Sequence, residues 1–212
     1  MTDFSYESKH QGIVCGLDEV GRGPLAGPVV AGGVIIPEDK RELDFIADIN
    51  DSKKLSKKKR EYLYDKIMEH FPCTIIEISP QEIDEINILQ ASLKAMKLAC
   101  EELLLSSRMN VRDLNFHALV DGNKAPALAC TFTAVIKGDS KSKSIAAASI
   151  IAKVHRDRIM KKLDKEHPHY GWANNSGYPT AQHRAAIEQF GITEHHRKSF
   201  KPVRLFIDMN KL

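Results

Sequence analysis

Apolar positions along the chain fall into two periods. Runs of β-branched residues at 13–18 and 28–36, separated by a glycine-rich turn, predict two adjacent strands, and 73–78 predicts a third. Between them, Ser56 caps a charged helix that runs to His70. Pro80 opens a longer helix, expected to continue to about Ser107, because Ile83, Ile86, Leu89, Leu93, Met96 and Cys100 recur at spacings of three and four. Residues 116–120 and 132–136 are short apolar strands. Ser144 is expected to cap a helix whose first turns, Ile145-Ala-Ala-Ala-Ser-Ile-Ile-Ala152, carry small residues that permit close approach to a sheet. A further helix covers 180–190 and stops at Gly191.

Strands interleaved with helices imply an α/β layer architecture. Short connections make the first three strands antiparallel, so the central sheet is expected to be mixed and flanked by helices. The expected organisation is a single domain over 1–212, with a core from about residue 12 to 164 and a small C-terminal helical cap from about 165.

Lys plus Arg number 31 against 28 Asp plus Glu, a net +3 that says little by itself. Its distribution says more. Residues 51–60 sum to +5, 137–165 to +6 and 195–204 to +4, which leaves the remainder at −12. If folding assembles the three segments, they form a basic face for an anionic partner; otherwise they are three separate solvated surfaces. No apolar run approaches the roughly 20 residues of a membrane span. The polar residues 1–11 lack the apolar segment of a secretory signal, so a cytoplasmic, non-membrane protein is expected. Cys15, Cys73, Cys100 and Cys130 stand singly and read as reduced, small hydrophobes. The pairs His167/His169 and His195/His196 have no accompanying ligand set, which argues against zinc.

Four acids sit where apolar runs stop. Asp18 and Glu19 end the first strand, Asp121 ends the run 116–120, and Asp139 follows the run 132–136. Each alone has a plain explanation as a turn residue or helix cap. Together, at strand ends of an α/β sheet, they lie where such folds place their sites. Clustered carboxylates repel unless cations neutralise them, and Mg²⁺ or Mn²⁺ takes oxygen ligands of this kind. Two such ions about 3.5–4 Å apart serve phosphodiester hydrolysis. Asp18 and Glu19 are neighbours, however, and neighbours on a regular strand face opposite ways. Either the backbone bends there or one of them contributes by its main chain.

Between the first two strands lies Asp18-Glu-Val-Gly-Arg-Gly-Pro-Leu-Ala-Gly-Pro-Val29. It lacks the G-K-[ST] ending of a P-loop. Further on come Asp51-Ser-Lys-Lys-Leu-Ser56, Val120-Asp-Gly-Asn123, Lys137-Gly-Asp-Ser-Lys-Ser142, Ile145–Lys153, Gly177-Tyr-Pro-Thr180 and His196-Arg-Lys-Ser-Phe200. In this order, from about residue 12 to 203, the series closely resembles the bacterial ribonuclease HII family.

The resemblance implies a ribonuclease H-like fold and a metal-dependent endonuclease. Its partners would be RNA–DNA hybrids or duplex DNA containing a single ribonucleotide, cut on the 5′ side to leave 3′-hydroxyl and 5′-phosphate ends. Asp18, Glu19, Asp121 and Asp139 match the catalytic carboxylates. Asp18, Glu19 and Asp121 match metal ligands for Mn²⁺ or Mg²⁺, with Asp139 acting directly or through water. Gly21, Arg22 and Gly23 match a loop whose backbone senses the ribose 2′-hydroxyl, the group that separates RNA from DNA locally. Tyr178 matches a tyrosine that packs on the deoxyribose after the ribonucleotide. Ser52, Lys53, Lys54 and Lys153 are expected near phosphates, and Arg156, Arg158, Arg197 and Lys198 are further candidates. The helix after Asp139 is a candidate to aim its N-terminus at a phosphate. A monomer is expected. For a sliding clamp, Arg204-Leu-Phe-Ile-Asp208 is only a weak candidate motif.

Overall fold

The computed structural model describes residues 2–106 and 115–210. Its strands are β1 (Ile13–Val20), β2 (Val29–Ile35), β3 (Cys73–Ile78), β4 (Phe116–Asp121) and β5 (Thr131–Val135). Its helices are α1 (Lys57–His70), α2 (Pro80–Ile86), α3 (Ile88–Ser106), α4 (Lys143–Glu166), α5 (Trp172–Asn175), α6 (Ala181–Phe190) and α7 (Lys201–Met209). They form a mixed five-stranded sheet in the order β3-β2-β1-β4-β5, flanked by helices, as the alternation of patterns predicts. The two pairs β1–β4 and β4–β5 are parallel. No helix among the described residues is long and apolar enough to cross a membrane.

The chain divides into two compact units. The first comprises 1–20, 31–76 and 93–154, and holds most of the sheet. One of its cores joins Val34, Ile36, Phe45, Ile49, Leu63 and Ile67 to Ala146, Ala147, Ala148, Ile150 and Ile151 of α4; another joins Val14, Leu119, Val135 and Ile145. The small residues of α4 do allow close approach. A Cβ on Gly16 of β1 would lie 2.1 Å from the carbonyl carbon of Ser144, and one on Gly32 of β2 2.5 Å from the carbonyl oxygen of Ala148. The second unit comprises 21–30, 77–92 and 155–212. Its core gathers Leu25, Ala26, Met160, Tyr170, Trp172, Ile187 and Val203.

Three expectations about elements need correction. The helix from Pro80 is two helices, because Asn87 takes φ +66° and its Oδ1 accepts from the N–H groups of Leu89 and Gln90. An asparagine inside an apolar period offers its own cap and restarts the helix. The N-terminus of α4 is held by Ser142, not Ser144: Ser142 Oγ accepts from the N–H of Ile145 at 3.2 Å. The first strand runs on to Val20, two residues past its expected end at Asp18, so Asp18 and Glu19 lie within β1 rather than at its end.

The same helix end also overturns its reading as a phosphate site. Glu7, 1% exposed, places Oε1 there, accepting from Ser142 Oγ at 2.7 Å and from the N–H of Ser144 at 2.9 Å. The positive end of the α4 dipole is therefore matched by a carboxylate of the chain itself.

Candidate active site

Register places the first two acids together. β1 and β4 pair in parallel with Leu17 opposite Val120. The next step along both strands is Asp18 and Asp121. Paired positions point to one face, and strand spacing sets them about 5 Å apart. On that face Val14 and Leu119 pack with Ile145 of α4. The chain then delivers Asp139 beside them, on a 3₁₀ turn over Gly138–Ser140. The N–H of Gly138 donates to Asp121 Oδ1 at 2.6 Å, which ties that turn to the strand end.

Asp18 is 6% exposed. Burial pushes its carboxyl well above the ordinary value, and the charges of Glu19, Asp121 and Asp139 push it the same way. Two hydrogen bonds support it: the N–H of Glu19 donates to Oδ1 at 2.8 Å, and the Ser149 hydroxyl donates from α4. Asp139, also buried, is raised by burial and by Asp51 and Asp121, while Lys53 opposes the shift. Lys53 Nζ lies 3.6 Å from Asp139 Oδ2. Partial burial works against the lysine's charge, but Asp139, Asp18, Asp51 and Asp121 together hold its value above the ordinary one.

Four carboxylates thus share one region of the first unit with a mostly exposed lysine as counter-charge. An all-oxygen donor set in which burial and neighbouring acids disfavour the charged forms of Asp18 and Asp139 fits a hard divalent cation, which supplies the positive charge the side chains lack. One step past the Leu17–Val120 pair, Asp18 shares the Asp121 face; Glu19 is half-buried, its N–H donates to Asp18 and its charge acts on that carboxyl.

Sequence reasoning named Asp51 within a motif but gave it no role; its carboxylate acts on both Asp139 and Lys53. Ser149 was missed as one small residue in an alanine-rich run. Ser52 is 3% exposed, and its hydroxyl shares a 2.9 Å hydrogen bond with that of Ser149. Lys54 is exposed, 3.9 Å from Asp51, and Lys153 is half-buried on α4.

The second unit carries the glycine loop. Gly21 takes φ +93° and Gly27 φ +83°, a region that glycine enters without strain. Arg22 and Gly23 are exposed. A Cβ on Gly23 would come within 3.2 Å of Tyr178 Cε1, so the 46%-exposed tyrosine ring lies against the loop. Two arginines expected at phosphates are instead interior. Arg197, with no solvent exposure, donates to the carbonyls of Gly21 at 2.6 Å, Arg22 at 3.1 Å and Gly27 at 2.9 Å. Arg156, 1% exposed, donates to the carbonyls of Pro28, Ala26 and Ser176. A buried guanidinium must satisfy its fork of donors, and here main-chain oxygens do so. These arginines shape the loop from behind. Lys143 is diverted in the same way, donating to the carbonyls of Ile46 and Ile49 at 2.8 Å each. Arg158 and Lys198 are exposed.

Comparison with known proteins agrees with this layout. The ribonuclease HII family model matches residues 15–203. Ribonuclease HII of Francisella tularensis subsp. novicida (strain U112) is 49% identical over 197 residues, covering 92% of this chain and 100% of its own. That of Magnetococcus marinus is 52% identical over 192 residues, 90% of this chain and 85% of its own. Among solved structures, ribonuclease H2 from Pyrococcus horikoshii OT3 superposes with a TM-score of 0.72 at 28% identity, over 94% of this chain and 99% of its own. Bst-RNase HIII in complex with Mn²⁺ shares the fold, with a TM-score of 0.75 at 17% identity over 95% of this chain and 71% of its own. Carboxylates converging at the ends of two parallel strands, and family motifs running through both units, place the chain in the ribonuclease HII family of metal-dependent endoribonucleases, enzymes that act on the RNA of RNA–DNA hybrids.

Proposed function

We propose that the protein hydrolyses the RNA strand of RNA–DNA hybrids and cuts on the 5′ side of a single ribonucleotide embedded in duplex DNA, leaving 3′-hydroxyl and 5′-phosphate ends. The observation that carries the reading is the register-matched pair Asp18 and Asp121, one step past Leu17 and Val120, with Asp139 and Lys53 beside them. In this reading Asp18, Glu19 and Asp121 hold Mn²⁺ or Mg²⁺, and Asp139 acts beside them directly or through water. When bound, two divalent ions supply Lewis-acid polarisation of the scissile phosphate and offset charge on the entering and leaving oxygens.

The side chains then have distinct tasks. Asp139, raised above the ordinary carboxyl value by burial and by Asp51 and Asp121, is the group suited to accept and return a proton during hydrolysis. Lys53, held protonated by the acids around it, attracts the phosphate; Lys54 and Lys153 add charge along the strand. Ser52 works at one remove, orienting Ser149 and through it Asp18. The backbone at Gly21–Gly23 meets the ribose 2′-hydroxyl, and the Tyr178 ring packs on the sugar that follows.

The test is a DNA duplex holding one ribonucleotide, incubated with Mg²⁺, Mn²⁺ or chelator. A single cut 5′ of the ribonucleotide, with either metal and not with chelator, is expected. No product with either metal overturns the reading.

A further inference from the structure

The second unit holds a group of potential ligands that sequence spacing does not reveal. Glu166 ends α4, His167 follows it, and His195 comes 28 positions later. One carboxylate oxygen and one ring nitrogen from each histidine lie within 4.8 Å of one another. Both rings are half-buried and already set by aromatic packing. His167 meets Trp172 edge-on at 5.7 Å, Tyr170 at 6.4 Å and His195 at 5.4 Å, and His195 meets Trp172 at 6.1 Å. Holding two imidazoles in place costs little further side-chain entropy when an ion arrives. The exposed Glu194 places Oε1 4.0 Å from His195 Nε2, a fourth donor within reach.

We propose that Glu166, His167 and His195 form a binding site for a borderline transition-metal ion of the zinc class. Two imidazoles and a carboxylate suit Zn²⁺, Ni²⁺ or Co²⁺ rather than the hard ions that an all-carboxylate set takes. Zinc bonds of about 2.0–2.2 Å put its ligands roughly 3.3 Å apart, so the group closes on the ion by side-chain movements of about an ångström. The ion would join the end of α4 to the segment that continues into Arg197. That arginine holds the carbonyls of Gly21, Arg22 and Gly27, so occupancy would stiffen the support of the glycine loop.

The test is competition for Zn²⁺ against a chromophoric chelator, using the full chain in Mg²⁺ buffer. Wild type is expected to bind one equivalent that His167→Ala, His195→Ala and Glu166→Gln each weaken at least tenfold. His169→Ala, an exposed neighbour that stacks on Phe190, should leave it unchanged. Asp121→Asn should also retain this equivalent, which separates it from metal held by the carboxylates. Co²⁺ titration adds a signature: visible bands of nitrogen ligation in wild type, lost in the histidine variants. Glu166→Gln changes an exposed side chain and keeps the test valid if a histidine variant misfolds. Equal zinc binding by wild type, Glu166→Gln and whichever histidine variants fold overturns the proposal. So does loss of the equivalent in Asp121→Asn alone.

Discussion

The guanidinium of Arg197 donates to the main-chain carbonyl of Gly21 at 2.6 Å, from a position with no solvent exposure. Lysine cannot replace this fork, because its three donors diverge from one point. Arg197→Lys should fold, yet lose roughly tenfold in kcat/KM on a single embedded ribonucleotide, about 1.4 kcal/mol of transition-state stabilisation. The loss on long hybrids should be smaller. Paired kinetics on both substrates, with circular dichroism to verify folding, check it; equal losses would reduce Arg197 to a general structural role.

Asp18 is the acid most disfavoured by its own surroundings. Asp18→Asn removes a buried charge that repels Glu19, Asp121 and Asp139. Cleavage should fall by more than about a thousandfold while duplex binding survives, and the melting temperature in chelator should rise. A gain of about 1 kcal/mol corresponds to about 2–4 °C in a chain of this size. Asp121→Asn should likewise abolish cleavage. A melting temperature that falls in Asp18→Asn would show that the carboxylate is not a source of strain.

Tyr178 rests its exposed ring on Gly23. Tyr178→Ala should reduce cutting at single ribonucleotides about tenfold more than cutting of long hybrids, whereas Tyr178→Phe keeps the ring and most of the preference. Gly21→Ala should be more damaging than either, since it combines φ +93° with a Cβ 2.3 Å from Arg156 Nε. The ratio of rates on the two substrates is the measurement, and an unchanged ratio in Tyr178→Ala rejects the junction role.

A pH effect is expected away from the acids. His117 hydrogen-bonds Thr131 at 2.8 Å and Thr133 at 2.9 Å and stacks on His10 at 3.5 Å. Burial first, and then the His10 charge, lowers its value from 6.5 to about 4. A depressed value means that the fold prefers the neutral ring. Its contribution is complete above pH 6.5 and is lost as pH falls toward 4. His117→Gln should therefore lose fewer degrees of melting temperature between pH 7 and pH 4.5 than wild type does. Identical losses would show that His117 does not couple to folding.

How far the sequence carries depends on the range of the interaction. Strands and helices were legible because hydrophobic periods are local, and the acids because they end apolar runs. Asn87 shows the limit: its neighbours keep helical spacing, and only its cap geometry divides α2 from α3. The fates of Arg156 and Arg197 were illegible for another reason. A basic residue in a charged segment looks solvated until carbonyls from distant positions, Gly21 to Pro28, are seen around it. Ser149 was hidden for the same cause, since its importance lies in Ser52 and Asp18, far away in the chain.

Glu7 gives the N-terminal segment a task unrelated to packing. Its carboxylate accepts from the Ser142 hydroxyl and the N–H of Ser144 at the start of α4, a few residues from Asp139. The chain thereby carries its own anion at that position, and an incoming phosphate meets those donors already engaged. A protein whose first residues are pulled away, or whose Glu7 becomes Gln, should become sensitive to inorganic phosphate as an inhibitor. The same change would make N-terminal fusions a hidden variable in activity measurements.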